Sequence, residues 1–414
     1  MNNPTPIRVM YVSHTAMLGG GEIALLNLVR TIDRAVICPI VVLASEGPLA
    51  EALRPYAQVH ILELDESVRQ AKKDGLGLSS VLRTADFWRL GSYLARLKRF
   101  IREQEIDIVH TNSLKADIIA GFAARWSGTP IVWHVRDRIE SDYLPALVVR
   151  VFRVLARILP TFVVANSAAT LKTLHLPEAP ARAPRLKAVV HDGTRVPQEM
   201  VARESNGLLQ VGLIGRLCPW KGQDIFIRAV TIVSKKFPNA RFKIVGSALF
   251  GEKEYESTIR NLCTGQGLGD LVTFTGFVAD IPALLQELDV VVHASTIGEP
   301  FGQVIIEGMA AAKPVVATNG GGVPEIVLHN ETGLLVPMGD VAAMAKAICQ
   351  LLEDPLKRAE MGAKGRERVN NCFTLQQTLA GIETVYATIL RKPRRRLQPT
   401  HDLSDEVPLA TLRR

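Results

Sequence analysis

Short apolar runs alternate with helix-patterned stretches along nearly the whole chain, and no other feature constrains its fold as much. IRVMYVSH (7–14), VVLAS (41–45), DIVHTN (107–112), PIVWHV (130–135), FVVANS (162–167) and KAVVHDG (187–193) are near-continuous apolar segments. Strands buried on both faces of a parallel sheet read this way. Amphipathic helical patterns such as SYLARLKRFIREQ and KADIIAGFAARW separate them, and that alternation is the mark of a doubly wound sheet. After the polar stretch Pro197–Gly207 the pattern restarts with QVGLIG (210–215) and continues through RFKIVG, LVTFTG, DVVVHAS, PVVAT and GLLVP. A length of 414 residues exceeds one ordinary core. The expected fold is therefore α/β, with two Rossmann-like doubly wound domains facing a cleft. Expected boundaries are 1–200 and 208–372, then a helix at 373–390 packing back toward the N-terminal domain. The tail 391–414 opens with RKPRRR, loses periodicity and is expected to be disordered.

Charge and cysteines narrow the function classes. A formal net charge of +8 favours anionic partners such as phosphorylated ligands or acidic membrane surfaces. Nucleic acid is not expected, since aromatic platforms and known modules are missing. The five cysteines, Cys38, Cys218, Cys263, Cys349 and Cys372, are scattered without a CxxC pair, which argues for a reducing compartment and against a zinc site. The first residues carry no basic-then-apolar leader pattern. The most apolar long segment, 144–165, is broken by Arg150, Arg153, Arg157 and Pro160. A cytoplasmic location is expected, with peripheral contact at the inner face of the membrane as its extension. Tyr143–Leu159 reads as a cationic amphipathic helix with Arg150, Arg153 and Arg157 on one face, either packed with one solvated side or lying on an anionic membrane.

The stretch from Gly298 to Glu325, GEPFGQVIIEGMAAAKPVVATNGGGVPE, carries the sharpest chemistry. Pro300 suits a first helical position, so Glu299 is expected at the helix start with Phe301, Gly302 and Gln303 in the first turn. Free N–H groups there suit an oxyanion or a hydroxyl oxygen. Glu307 sits among Val304, Ile305, Ile306, Met309 and Ala310, where an unpaired carboxylate is costly and demands a polar partner. Eight helical residues rise about 12 Å. Carboxylates working on one glycosidic bond stand roughly 5–9.5 Å apart, so these two suit gripping the ends of one elongated ligand, such as a nucleotide sugar. The alternative at this point is a solvated Glu299 and a structurally paired Glu307.

Other candidates sit at strand ends, where open α/β sheets place ligands. Leu18-Gly19-Gly20-Gly21-Glu22 joins the first strand to a helix, letting backbone approach a phosphate or making a tight turn. The spacing is not GxGxxG. His110, Asn112 and His134 end their strands, as ligand contacts or as satisfied structural residues. Arg216 and Lys221, just past QVGLIG, add two cations at a helix start and suit a diphosphate.

GRLCPWKG followed by GEPFGQVIIEGMAAAKPVVATNGGGVPEIV resembles glycosyltransferase family 4, the retaining sugar transferases of GT-B fold. The resemblance spans nearly the whole chain and is tighter in the second half. It implies that Arg216 and Lys221 hold the diphosphate and stabilise it as it leaves, and that Glu307 binds the ribose hydroxyls. Glu299 is implied to contact the donor sugar beside the N–H groups of Phe301 and Gly302. The resemblance further implies His134, within WHVRD, near the transferred sugar, Gly20 and Gly21 over the phosphates, and the backbone near Phe277 and Val278 at the base. One departure is visible: His191-Asp192-Gly193 stands where many members carry asparagine before the glycine, at a site expected to be peripheral. No cofactor and no metal are expected, as no Asp-x-Asp occurs. The donor would be a nucleoside-diphosphate sugar such as UDP- or GDP-hexose, and the acceptor a sugar, lipid-linked or glycan hydroxyl in surface polysaccharide or glycolipid synthesis. The competing readings are a nucleotide-sugar epimerase of GT-B type and a non-catalytic nucleotide-sugar-binding protein.

Overall fold

The computed structural model describes residues 5–64, 84–177, 186–198, 207–248 and 252–390. The basic stretch from Arg391, most of the 197–207 linker and much of the polar region before Gly91 lie outside them. Two parallel sheets form, one per half. The first runs β3-β2-β1-β4-β5-β6-β7, from β1 (Ile7–Ser13), β2 (Ile37–Leu43), β3 (Gln58–Ile61), β4 (Ile108–Thr111), β5 (Ile131–Val135), β6 (Phe162–Ala165) and β7 (Leu186–Val189). The second runs β10-β9-β8-β11-β12-β13, from β8 (Leu209–Ile214), β9 (Ala240–Val245), β10 (Val272–Gly276), β11 (Val290–His293), β12 (Val315–Thr318) and β13 (Gly333–Val336).

Side chains alternate across a strand, so each apolar run feeds two cores. Val9 and Tyr11 of β1 join one cluster with Ile37, Val41 and Val164, while Met10 and Val12 join another with Ile40, Val109 and Trp133. The second sheet divides likewise: Val290 and Val292 face one cluster, Val291 the other. Each fully buried Val, Leu or Ile contributes about 1.5–3 kcal/mol, which is why neither face tolerates regular polar alternation. Edge strand β3 was not legible in the sequence; Gln58 is exposed and Val59, His60 and Ile61 are only half-buried.

The strand order reverses between β1 and β4 and again between β8 and β11, and such switch points open crevices at the strands' carboxyl ends. The Gly19–Gly21 turn and Asn112 flank the first; Arg216 and Ala294–Glu299 flank the second. The two halves meet at more than the cleft. Thr194 N–H donates to Phe373 O (2.9 Å), so two crossings of the chain run side by side, and a Cβ on Gly193 would lie 2.3 Å from Thr374 O. Helix Leu375–Leu390 packs Ile382, Val385 and Tyr386 into the first domain's core with Ile7 and Val9.

Two expectations need correction. The helix expected from Pro300 begins at Gln303. Gly302 turns the chain with φ +134°, while Glu299 forms a bridge with Gly321, so Glu299 and Glu307 are not ends of one helical rod. The basic helix spans Ala146–Leu155, and Arg153 does not share the outer face. It turns inward, donating to Thr173 O and Ile139 O (both 2.8 Å). Among the described residues no helix is long and apolar enough to cross a membrane.

Candidate active site

The site in the second domain is assembled by two loops stitched together. After β8 the chain makes a short turn, Pro219–Lys221, and Gly222 follows at φ +69°. A Cβ there would stand 2.0 Å from Ala294 O, so only glycine lets this turn press on the loop after β11. Thr296 N–H donates to Trp220 O (2.8 Å) and closes the seam. Lys221 Nζ thereby reaches both oxygens of Glu299, at 2.8 and 2.9 Å, and lies 4.4 Å from the Trp220 ring centroid.

Glu299 is the most densely bonded carboxylate of the site. His293 Nε2 lies 3.1 Å from its Oε2, and Ser295 Oγ donates to the same oxygen at 2.8 Å. Burial works against its ionisation, but Lys221 and then His293 overcome it and hold the carboxyl well below the usual range. Arg216 points into the same corner, its Nε 3.6 Å from Glu252 Oε2 and its guanidinium 6.0 Å from the Trp220 ring. Glu307 differs. It is half-buried, its one hydrogen bond is a long one from Gln303 (3.4 Å), and burial pushes its carboxyl up to about 7. The partner that its apolar setting demands is thus a neutral amide one turn away, with capacity left over.

Phe301 is buried and stacks on His191 with centroids 5.6 Å apart. Phe277 is exposed and Val278 half-buried just past β10, at the outer end of the second sheet.

In the first domain Gly20 and Gly21 open helix Gly20–Thr31, and Asn112 Nδ2 donates to Gly21 O (2.9 Å). His134 is fully buried. Its Nδ1 lies 3.1 Å from His110 Nε2, and His110 Nδ1 lies 2.7 Å from Tyr386 Oη, which donates to Tyr11 Oη at 3.1 Å. Burial and the nearby Arg136 push both imidazoles down, His110 to about 3, so this relay is neutral. Run in that direction it leaves Nε2 of His134 as an acceptor, and that atom has no hydrogen-bond partner.

Several residues of the cleft were missed by sequence reasoning. Asp192 is not peripheral: it is buried and pairs with Arg136 at 3.0 Å, and Arg136 in turn donates to Asn112 Oδ1. Asp192 supplies the countercharge that the buried Arg136 guanidinium needs; the arginine of WHVRD was the available signal. Glu325, the last residue of the singled-out stretch, reaches across the cleft. It accepts from the N–H groups of Ala168 and Ala169 (2.9 and 2.8 Å) and contacts His191 Nε2 at 3.1 Å. Ser167 and Thr170 donate to Pro300 O (2.5 and 3.0 Å), and Arg138 donates to Gly298 O (3.2 Å). The structure therefore brings Arg216, Lys221, Glu299, Phe301 and Gly302 into one corner facing the first domain, with Glu307 on the adjoining helix, and keeps Gly20, Gly21 and His134 on the opposite side.

A family model described as Glycosyl transferases group 1 matches residues 188–368, and one described as Glycosyltransferase Family 4 matches residues 18–182. A GDP-mannose-dependent alpha-(1-6)-phosphatidylinositol monomannoside mannosyltransferase of Mycobacterium tuberculosis is 40% identical over 164 residues, covering 38% of this chain and 41% of that protein. The lipopolysaccharide core biosynthesis mannosyltransferase LpsB of Rhizobium meliloti is 31% identical over 44% of this chain and 52% of its own. The chain thus matches about half the length of these curated relatives or less. The crystal structure of Anabaena Alr3699/HepE in complex with UDP and glucose superposes with a TM-score of 0.78 at 26% identity, over 92% of this chain and 100% of that one.

Proposed function

Because the chain belongs to glycosyltransferase family 4, the glycosyl transferases of group 1, we propose that it moves a sugar from a nucleoside-diphosphate sugar to an acceptor hydroxyl with retention of configuration. The observation that supports this most is the corner where Lys221, paired to Glu299 at 2.8 Å, stands with Arg216 at the β8–β11 switch point. Two fixed cations there oppose the negative charge that grows on a departing diphosphate, and they are oriented before the reaction begins. This supply of positive charge makes the proposed chemistry metal-independent. Glu299, kept ionised by its neighbours, accepts hydrogen bonds from donor-sugar hydroxyls beside the N–H groups of Phe301 and Gly302. Glu307, with spare acceptor capacity, takes the ribose hydroxyls, and the backbone near Phe277 and Val278 is assigned to the base.

As the sugar–phosphate C–O bond breaks, the acceptor hydroxyl attacks the anomeric carbon from the same face. Its proton leaves with the diphosphate oxygen, so charge balances without a covalent enzyme intermediate. The unpartnered Nε2 of His134 is the first-domain atom assigned to the sugar, and Gly20 and Gly21 adjoin the phosphates. Closure across the cleft excludes water that would otherwise hydrolyse the donor. The acceptor is a glycan or lipid-linked hydroxyl, and the site of action is the cytoplasm. The epimerase and non-catalytic alternatives draw no observation in their favour.

A panel of UDP, GDP and their hexose conjugates tests the proposal by thermal shift and by release of free nucleoside diphosphate. Ligand at about 100 times its Kd adds about 2.7 kcal/mol of stability. Binding of one nucleotide sugar, with turnover abolished in Arg216→Ala, supports the reading. No binding by any donor, together with an Arg216→Ala variant indistinguishable from the parent, would sink it.

A further inference from the structure

Helix Ala146–Leu155 and the turn after it carry an apolar stripe that the fold does not use. The helix already buries an inner face: Val149 and Phe152 are inside, with Phe152 against Trp133 at 5.1 Å. Leu147, Val151, Val154 and Ile158 nevertheless stay 48, 45, 51 and 58% exposed. Their spacing of four, three and four residues puts them within an arc of about 60° at 3.6 residues per turn. Among the described residues the other exposed large apolar side chains, such as Trp126, Ile232 and Leu356, do not form a comparable row. Isolated exposed apolar residues need no explanation, but a continuous row marks a contact surface.

Charge identifies the occupant. Arg150 and Arg157 are exposed along one flank of the stripe, and no Asp or Glu occurs from Tyr143 to Pro177. A second copy docking through the same stripe would bring no acidic partner for these arginines. We propose that this face docks on an anionic lipid bilayer, with the four apolar side chains at the headgroup boundary and the two guanidinium groups among lipid phosphates. The position gives the docking a purpose. The loop feeding the helix touches the donor corner, with Tyr143 edge-on to Trp220 at 6.1 Å and Arg138 on Gly298 O. A bilayer under this helix therefore lies beside the mouth of the cleft, where a lipid-borne acceptor would enter. The proposal extends the acceptor side of the function proposed above, but its test reads partition and not turnover, so the two stand or fall separately.

The test is co-sedimentation of the full chain with phosphatidylcholine vesicles, with and without phosphatidylglycerol, at low salt. The parent protein is expected to partition onto the anionic vesicles. Val151→Glu with Ile158→Glu should weaken that partition by at least about tenfold, since two buried contacts become two repelled charges. Arg150→Gln with Arg157→Gln should weaken it about fivefold per arginine. Both pairs lie on the surface, so the thermal shift with nucleotide should be unchanged and reports folding. Equal partition with and without anionic lipid would overturn the proposal. So would a glutamate variant that binds like the parent, which would move the contact to another basic segment, or a stripe-dependent dimer that does not bind vesicles.

Discussion

Replacing Lys221 by methionine isolates the charge at the centre of the candidate site, because the methionine keeps an apolar stem against Trp220. In the parent protein Lys221 contacts both Glu299 oxygens at 2.8 and 2.9 Å, with side-chain exposures of 17 and 11%. Breaking a buried pair from one side costs about 3–5 kcal/mol. Residual exposure and the remaining partners His293 and Ser295 place this case at the low end, about 3 kcal/mol, or about 6–12 °C for a domain of this size. The pH dependence follows from the carboxyl. In the parent its folded-state value lies below the ordinary 4.5, so the stabilisation is present above that value and is lost as pH falls through the folded one. In Lys221→Met the burial remains while the main opposing cause is gone, so the folded-state value rises, and the variant becomes less stable as pH climbs. The gap between the two proteins should be about 3 kcal/mol at pH near 8 and under about 1 kcal/mol near pH 4, where Glu299 is protonated in the variant. Thermal unfolding at the two pH values measures it, and adding Glu299→Gln to the variant should recover part of the loss. A midpoint shift that is negligible at high pH, or equal at both, would refute the reasoning.

Glu325→Ala removes the acceptor of two helix-opening N–H groups across the cleft and should cost about 1–2 kcal/mol at neutral pH. Burial opposes ionisation of Glu325, yet His191 and the Ala168 and Ala169 amides hold its carboxyl below 4.5, so the loss should shrink as pH falls below that value; unfolding midpoints at neutral and acid pH report it. Gly222→Ala puts a methyl 2.0 Å from Ala294 O at φ +69° and should lower the unfolding temperature more than Lys221→Met does. Gly128→Ala, at φ +79° with nothing nearby, should cost only about 1 kcal/mol.

The architecture was legible because strands buried on both faces leave apolar runs that no other class of element produces at that spacing. Edge strand β3 escaped for the converse reason, having only one neighbour and a half-buried face. Arg216, Lys221 and Glu299 stood out as charges at strand ends. Their contacts did not, because Lys221 and Glu299 are 78 residues apart in sequence and only the close approach at Gly222 joins their loops. Asp192 and Glu325 were underrated on the same ground, since each finds its partner in a distant loop or in the other domain. The helix start at Gln303 was misjudged because Pro300 is a local signal, overridden when the Glu299 and Pro300 carbonyls were taken up by Gly322 and by Ser167 with Thr170.

The return of helix Leu375–Leu390 to the first domain separates the order in which this protein is made from the order in which it is finished. The strands of the first sheet leave the ribosome early, but the face built from Ile7, Val9 and Tyr11 receives Ile382, Val385 and Tyr386 only after the whole second domain has been synthesised. Until then the His110 imidazole lacks its tyrosine and an apolar face of the early half stands open to water. The second domain has no such debt, since its two clusters draw almost entirely on residues after 208. The half of the chain that is born first is thus the last to close, and the relay leading to His134 exists only once both domains are in place.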